Sequence, residues 1–222
     1  MKYRSVFDII GPIMIGPSSS HTAGAARIGL IARNLFSGNP KTAHIVFLGS
    51  FAKTFKGHGT DIAIVGGILG FNTFDKRIVD SFDWAKKIGV QVQISVSEVI
   101  PNHPNTAQIT LSSDQETMTI EGISIGGGKM EITSINGYSL RITGEGPTIL
   151  IWHEDRYGLV AAVSHVLAKH QVNIGYMEMA RKEKGSESLM VIEIDQPIAD
   201  DVRREIEALA HIKKVTVLNP LD

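Results

Sequence analysis

The chain has 222 residues, 43% of them hydrophobic and 20% charged, with a net charge of −1, the composition of an ordinary globular protein long enough for more than one core. Its lysines and arginines are too thinly spread to form a basic face for nucleic acid, and each apolar run is broken by glycine or charge before it could cross a membrane. Cysteine is absent, which excludes disulfides, a cysteine nucleophile and any thiolate-held zinc or iron–sulfur cluster supplied by this chain.

The opening stretch, MKYRSVFDIIG, lacks the long apolar segment and small-residue cleavage site of a signal peptide, so a cytoplasmic location is expected. A helix is predicted to begin near His21 and to run through AARIGLIARNLF. Just ahead of it, GPSSSHTAG places Ser18, Ser19, Ser20, His21 and Thr22 in a row. One capping hydroxyl is enough for a helix start and contributes about 1 kcal/mol. Two readings of the surplus stay open. The extra serines are tolerated on a solvent loop, or hydroxyls and free backbone N–H groups receive a carboxylate or phosphate there. No Gly-Lys-Ser/Thr follows, so this is not a nucleotide phosphate loop.

Further along, AHIVFLGS reads as a buried strand and DIAIVGGILGF as a compact apolar helix. Between them KGHGTD sets His58, Thr60 and Asp61 where that helix would be capped. VQVQISVSE alternates as a half-exposed strand should, and NHPNT after it carries Asn102, His103, Asn105 and Thr106 around a proline. Capping and turn chemistry account for each of these two clusters taken alone. Three clusters of histidine with hydroxyl or amide groups in one segment point further. Histidine moves protons near neutral pH, and hydroxyls orient a polar substrate. The three histidines match no particular metal geometry, so no metal ligand is assigned. QITLSS, TMTIEGISIGG, KMEITSING and YSLRITG read as strands joined by tight turns. SIGGGKM reads as a bulged turn, since no G-x-G-x-x-G pattern opens a helix there.

At GEGPT the composition changes, and Gly144, Gly146 and Pro147 form a linker. The expected domains are therefore residues 1–146 and 148–222. TILIWHE is a strand. It is followed by a helix with Leu159, Val163, Val166 and Leu167 on one face, two alternating strands in VNIGYMEMARK and SLMVIEID, a helix carrying Val202, Ile206 and Leu209, and the strand KKVTVL. This βαββαβ order is the ferredoxin-like split motif. The fold class is α+β, with a mixed α/β domain ahead of the ferredoxin-like one. His153 and Asp155 fall where a strand meets a helix, and Asn173 opens the next strand; each serves as turn or cap chemistry, or as part of a small-molecule site.

GPSSSHTAGAARIG, KGHGTD and HPNT together resemble the beta chain of the two-chain bacterial iron–sulfur L-serine dehydratase, and the resemblance runs essentially from end to end. The C-terminal segment is similar to an ACT domain, and HEDRYG with VNI resembles the serine-binding stretch of serine-inhibited phosphoglycerate dehydrogenases at His153, Asp155 and Asn173, with an acid at the middle position in place of an amide. The resemblance implies a lyase that converts L-serine to pyruvate and ammonia, in which a [4Fe-4S] cluster polarises the substrate hydroxyl. It implies that a cysteine-bearing alpha chain ligates the cluster, and that this chain holds none and is inactive alone. His21 is the first candidate for direct involvement, with Ser19, Ser20, Thr22, His58 and His103 as further catalytic candidates. Ser18, Thr60 and Asn105 are candidates for substrate binding, and His153, Asp155 and Asn173 for effector binding. The expected partners are the alpha chain, a second copy through paired ACT domains, and L-serine as substrate and effector, without nucleic acid or membrane. The alternative is a non-catalytic module that senses a small acid or amino acid, as related domains do in some phosphoglycerate dehydrogenases.

Overall fold

The computed structural model describes residues 13–221; the MKYRSVFDIIG stretch considered for a signal peptide lies outside them. The chain divides into two compact units at Asn136 and Gly137. The Gly144–Pro147 linker lies a little further along, inside the second unit.

In the first unit a turn of π-helix, Ser19–Ala23, runs directly into α1 (Gly24–Leu35). Next come β1 (Thr42–Leu48), α2 (Gly49–His58), α3 (Thr60–Ile68), a 3-10 turn (Lys76–Asp80), α4 (Ser81–Ile88) and β2 (Gln91–Val96). The strands β3 (Asn105–Ser112), β4 (Thr117–Gly126) and β5 (Lys129–Ile135) complete it. Within this unit the strand order is β2-β1-β3-β4-β5. β1 and β2 are parallel, which demands a long crossover, and α2 to α4 supply it. The other neighbours are antiparallel, as short turns allow.

A strand was expected through AHIVFLGS, but β1 stops at Leu48. Gly49 adopts φ +58°, and the chain turns there into a helix that the sequence pattern did not announce. The apolar helix α3 is buried from Ala63 to Ile68, as an element without a polar face must be. It packs on α1 at two glycines. A Cβ on Gly29 would lie 2.2 Å from the carbonyl oxygen of Ile64, and one on Gly67 would lie 2.0 Å from that of Ala26. This backbone-to-backbone approach sets the π-turn and the ends of α2 and α3 side by side.

The second unit contains β6 (Tyr138–Ile142), β7 (Thr148–Glu154), α5 (Leu159–Lys169), β8 (Ile174–Arg181), β9 (Glu187–Ile194), α6 (Asp200–Glu207) and β10 (Ile212–Leu218). From β7 to β10 it is the expected βαββαβ motif, with an antiparallel sheet in the order β10-β7-β9-β8. Ile149, Ile151, Met190 and Ile192 alternate onto one face and meet Val163, Val166, Leu167, Val202 and Ile206 from the helices. Leu209, expected on α6, lies past its end and packs half-buried on the same core. Helices and antiparallel strands in both units make the protein α+β.

Candidate functional site

The polar run Ser18–Thr22 becomes a π-turn because its hydroxyls supply local bonds that compete with the ordinary helical ladder. Ser18 has extended backbone and caps the turn, its Oγ accepting the His21 N–H at 3.2 Å. Ser18 Oγ is also 3.4 Å from Ser20 Oγ, and Ser20 Oγ is 3.1 Å from His21 Nδ1. The first reading of the run, one cap with idle serines, therefore omits half of the arrangement. Ser19 is the half-buried first residue of the turn, and Thr22 is buried and donates from its hydroxyl to the His58 carbonyl at 3.1 Å.

The imidazole of His21 projects onto α2. Its Nε2 lies 3.3 Å from Ser50 Oγ at the start of that helix. Phe51 meets the ring edge-on with centroids 5.3 Å apart, and the His58 ring lies 4.7 Å away, tilted by 40°. Burial lowers the His21 pKa from its ordinary value, and the proximity of His58 lowers it further. His21 is thus a neutral imidazole at pH 7, with a hydroxyl at each ring nitrogen. His58 Nδ1 is buried without a hydrogen-bond partner, as is Thr60 Oγ1 at the first residue of α3.

The NHPNT loop closes on the same helix end. Ser50 N–H donates to the Pro104 carbonyl at 2.6 Å, and Gly49 bridges Asn105. Inside the loop, His103 Nδ1 accepts the Asn105 N–H at 3.2 Å, and its carbonyl accepts from Thr106 Oγ1 at 2.6 Å. Asn105 Nδ2 donates to the Ser124 carbonyl at 3.4 Å. His103 and Asn105 thus shape the loop that buttresses α2, whereas His21 and His58 face each other directly. Among the three clusters the link is Ser50, which the sequence reading passed over. A Gly-Ser pair at the C-terminal end of a buried strand was the available signal, because such strand-to-helix junctions place polar groups at the edge of a sheet.

In the second unit the candidates separate. His153 is fully buried; its Nδ1 donates to the Glu154 carbonyl at 2.7 Å, and its Nε2 has no partner. Asp155 accepts from Gly185 N–H at 2.9 Å and from Arg181 Nη1 at 3.2 Å, and the first of these bonds does most to hold its carboxyl below the usual range. Asn173 is exposed and donates to Asp195 at 2.5 Å. A cavity of about 620 Å³ opens beside Asp155, lined also by Arg156, Tyr157, Ser186 and Lys213; His153 and Asn173 do not line it.

Residues 5–133 match the family described as serine dehydratase beta chain, and residues 147–211 match the ACT domain. The chain is 54% identical to the "Probable L-serine dehydratase, beta chain" of Bacillus subtilis (strain 168) over 216 residues, covering 97% of this chain and 98% of that one. It is 40% identical to the "L-serine dehydratase, beta chain" of Peptoniphilus asaccharolyticus, covering 93% and 94% respectively. Over 205 residues it is also 29% identical to the D-3-phosphoglycerate dehydrogenase of Methanocaldococcus jannaschii, spanning 88% of this chain and 37% of that enzyme.

Proposed function

The chain belongs to the serine dehydratase beta-chain family, and from that premise we propose that it is the beta subunit of an L-serine ammonia-lyase and forms one wall of the active site around His21. The observation that carries this reading is a neutral imidazole held between the hydroxyls of Ser20 and Ser50. Deaminating serine requires loss of the α-proton and departure of the β-hydroxyl as water. The resulting enamine tautomerises and hydrolyses to pyruvate and ammonia without further help. A neutral imidazole is the correct form to take the α-proton, and the serine hydroxyls and the first turn of α2 suit the substrate carboxylate. Each ring nitrogen of His21 already faces a hydroxyl, so the nitrogen that receives the proton must first release its serine partner.

An iron–sulfur cluster is the cofactor that the family implies. This chain does not fit it as a host. It contains no cysteine, and among the described residues no group of three or more histidines or acidic residues is placed to hold a metal. In the proposed assembly the cysteines and cluster come from the alpha chain, in the cytoplasm.

The second unit is proposed as an amino-acid-responsive ACT domain whose ligand site forms where two copies pair, with His153 and Asp155 supplied by one copy and Asn173, at the other end of the sheet, by its partner. Asn173 bonded to Asp195 and Asp155 bonded to Gly185 support a site in which an arriving zwitterion exchanges partners with these groups. No helix among the described residues is long and apolar enough to cross a membrane.

The test is an anaerobic serine-deamination assay with this chain alone, the alpha chain alone, and both with reconstituted iron and sulfide. The proposal expects pyruvate in the mixture only. No pyruvate from a mixture whose cluster is spectroscopically intact would favour the alternative, a small-acid sensor built on the same fold.

A further inference from the structure

The backbone of Ser50 is held at both of its polar groups. Its N–H is fixed to Pro104 at 2.6 Å, and its carbonyl accepts the Thr54 hydroxyl at 2.7 Å. The residue before it, Gly49, has φ +58°, and a Cβ there would stand 2.5 Å from the Pro104 carbonyl oxygen. That position is closed to other residues on both conformational and steric grounds. The NHPNT loop and the first turn of α2 therefore form one rigid bracket, and the only Ser50 atom it leaves to turn is Oγ, 3.3 Å from His21 Nε2.

Hydrogen-bond accounting around the ring allows two arrangements. In one, Ser18 Oγ accepts the His21 N–H and gives its own proton to Ser20, Ser20 donates to Nδ1, and Nε2–H donates to Ser50. In the other, Ser50 donates to Nε2, Nδ1–H donates to Ser20, and Ser20 donates to Ser18. No hydroxyl gives more than one proton, and each accepts within its capacity, in either case. Passing from one to the other moves the imidazole proton between its nitrogens without displacing a heavy atom. Ser50 serves Nε2 in both, as acceptor in the first and donor in the second, so it holds the rotation of the ring in either tautomer.

We propose that Ser50 is a positioning residue for the lyase reaction: its hydroxyl, held by the NHPNT bracket, fixes the rotation of the His21 imidazole and keeps a partner at Nε2 in either tautomer. This rests on the proposed role of His21, and it gives the third histidine cluster a task, which is to hold Ser50 rather than to touch substrate.

The test uses the full chain labelled with nitrogen-15 at histidine, as wild type, Ser50→Ala and Ser50→Thr. In Ser50→Ala the His21 Nε2 resonance is expected to shift as that nitrogen loses its hydroxyl partner, while Ser50→Thr keeps the wild-type ring shifts. In the assembled enzyme Ser50→Ala is expected to lower kcat about tenfold, with KM within about twofold and a displaced acid limb in the pH profile. Ser50→Thr restores all three. Unchanged His21 ring-nitrogen shifts in Ser50→Ala would overturn the proposal, as would wild-type kcat in that variant. If the wild-type mixture makes no pyruvate, the lyase reading fails, and the ring-nitrogen shifts still decide whether Ser50 governs His21.

Discussion

The imidazole Nε2 of His21 lies 3.3 Å from the hydroxyl of Ser50, which stands twenty-nine residues further along the chain. This contact joins the serine-rich turn to α2, and through Pro104 it joins both to the loop before β3. Two glycine contacts between α1 and α3 keep the turn and the helix in place. The chemistry of the site therefore depends on how closely two helix backbones approach.

That dependence is testable by stability. Gly67→Ala would drive a Cβ to 2.0 Å from the Ala26 carbonyl oxygen and 2.7 Å from Leu30 N, both backbone atoms that cannot rotate away. We expect a loss of about 3 kcal/mol in urea unfolding, together with a weakened His21–Ser50 contact. Gly57→Ala is the control. Nothing lies within 4 Å of its Cβ position in α2, so a gain of about 0.5 kcal/mol is expected. Equal stability for the two variants would show that α1 and α3 are not packed as described.

A pH dependence follows from the depressed pKa of His21. Burial is its main cause and the nearby His58 the second. The unfolded chain takes up the proton near pH 6.5, whereas the folded chain resists it to lower pH. Between those values the unfolded state carries more protons, so stability falls as pH drops from about 6.5 through the folded pKa, and this contribution is flat outside that window. Urea midpoints measured against pH should lose this segment in His21→Gln. In His58→Gln the window should narrow, because removing the second cause raises the His21 pKa. A His21→Gln profile that coincides with wild type across the window would contradict the assignment.

Much of the second unit was legible in the sequence, because its helices and strands carry clean 3.6- and 2-residue periods over long stretches. Leu159, Val163, Val166 and Leu167 were expected on one face of a helix and are all buried. The first unit was harder for a physical reason. α2 has no side-chain cap at Leu48, and Phe51 is its one buried residue, so GSFAKTFKGH shows neither a start signal nor an apolar stripe. The helix exists because Gly49 turns the chain and the Pro104 loop holds it. With α2 unseen, the sequence could mark Ser18–Thr22, KGHGTD and NHPNT as similar clusters, but not that Ser50 lies at their junction. The separation of Asp155 from Asn173 was equally out of reach, since their partners Gly185 and Asp195 lie on other strands and turns.

Asp155 offers a prediction of its own. Its carboxylate ties the β8–β9 turn through Gly185 and Arg181, and its pKa is held down chiefly by the Gly185 bond. The tie is present above the unfolded value of about 3.9 and is lost as pH falls through the lower folded value. Hydrogen exchange should show the Gly185 amide protected in wild type down to below pH 3.9, and unprotected throughout in Asp155→Ala. Equal protection in both would mean that the turn does not depend on Asp155.

The most direct measurement is the turnover of L-serine by the assembled enzyme carrying His21→Gln in this chain, with assembly confirmed by its mass in solution. An unperturbed complex in which kcat falls by about a hundredfold or more is the predicted result, the loss expected when a positioned proton acceptor is removed. An intact complex that makes pyruvate at the wild-type rate would contradict the claim that this chain brings His21 to the reaction.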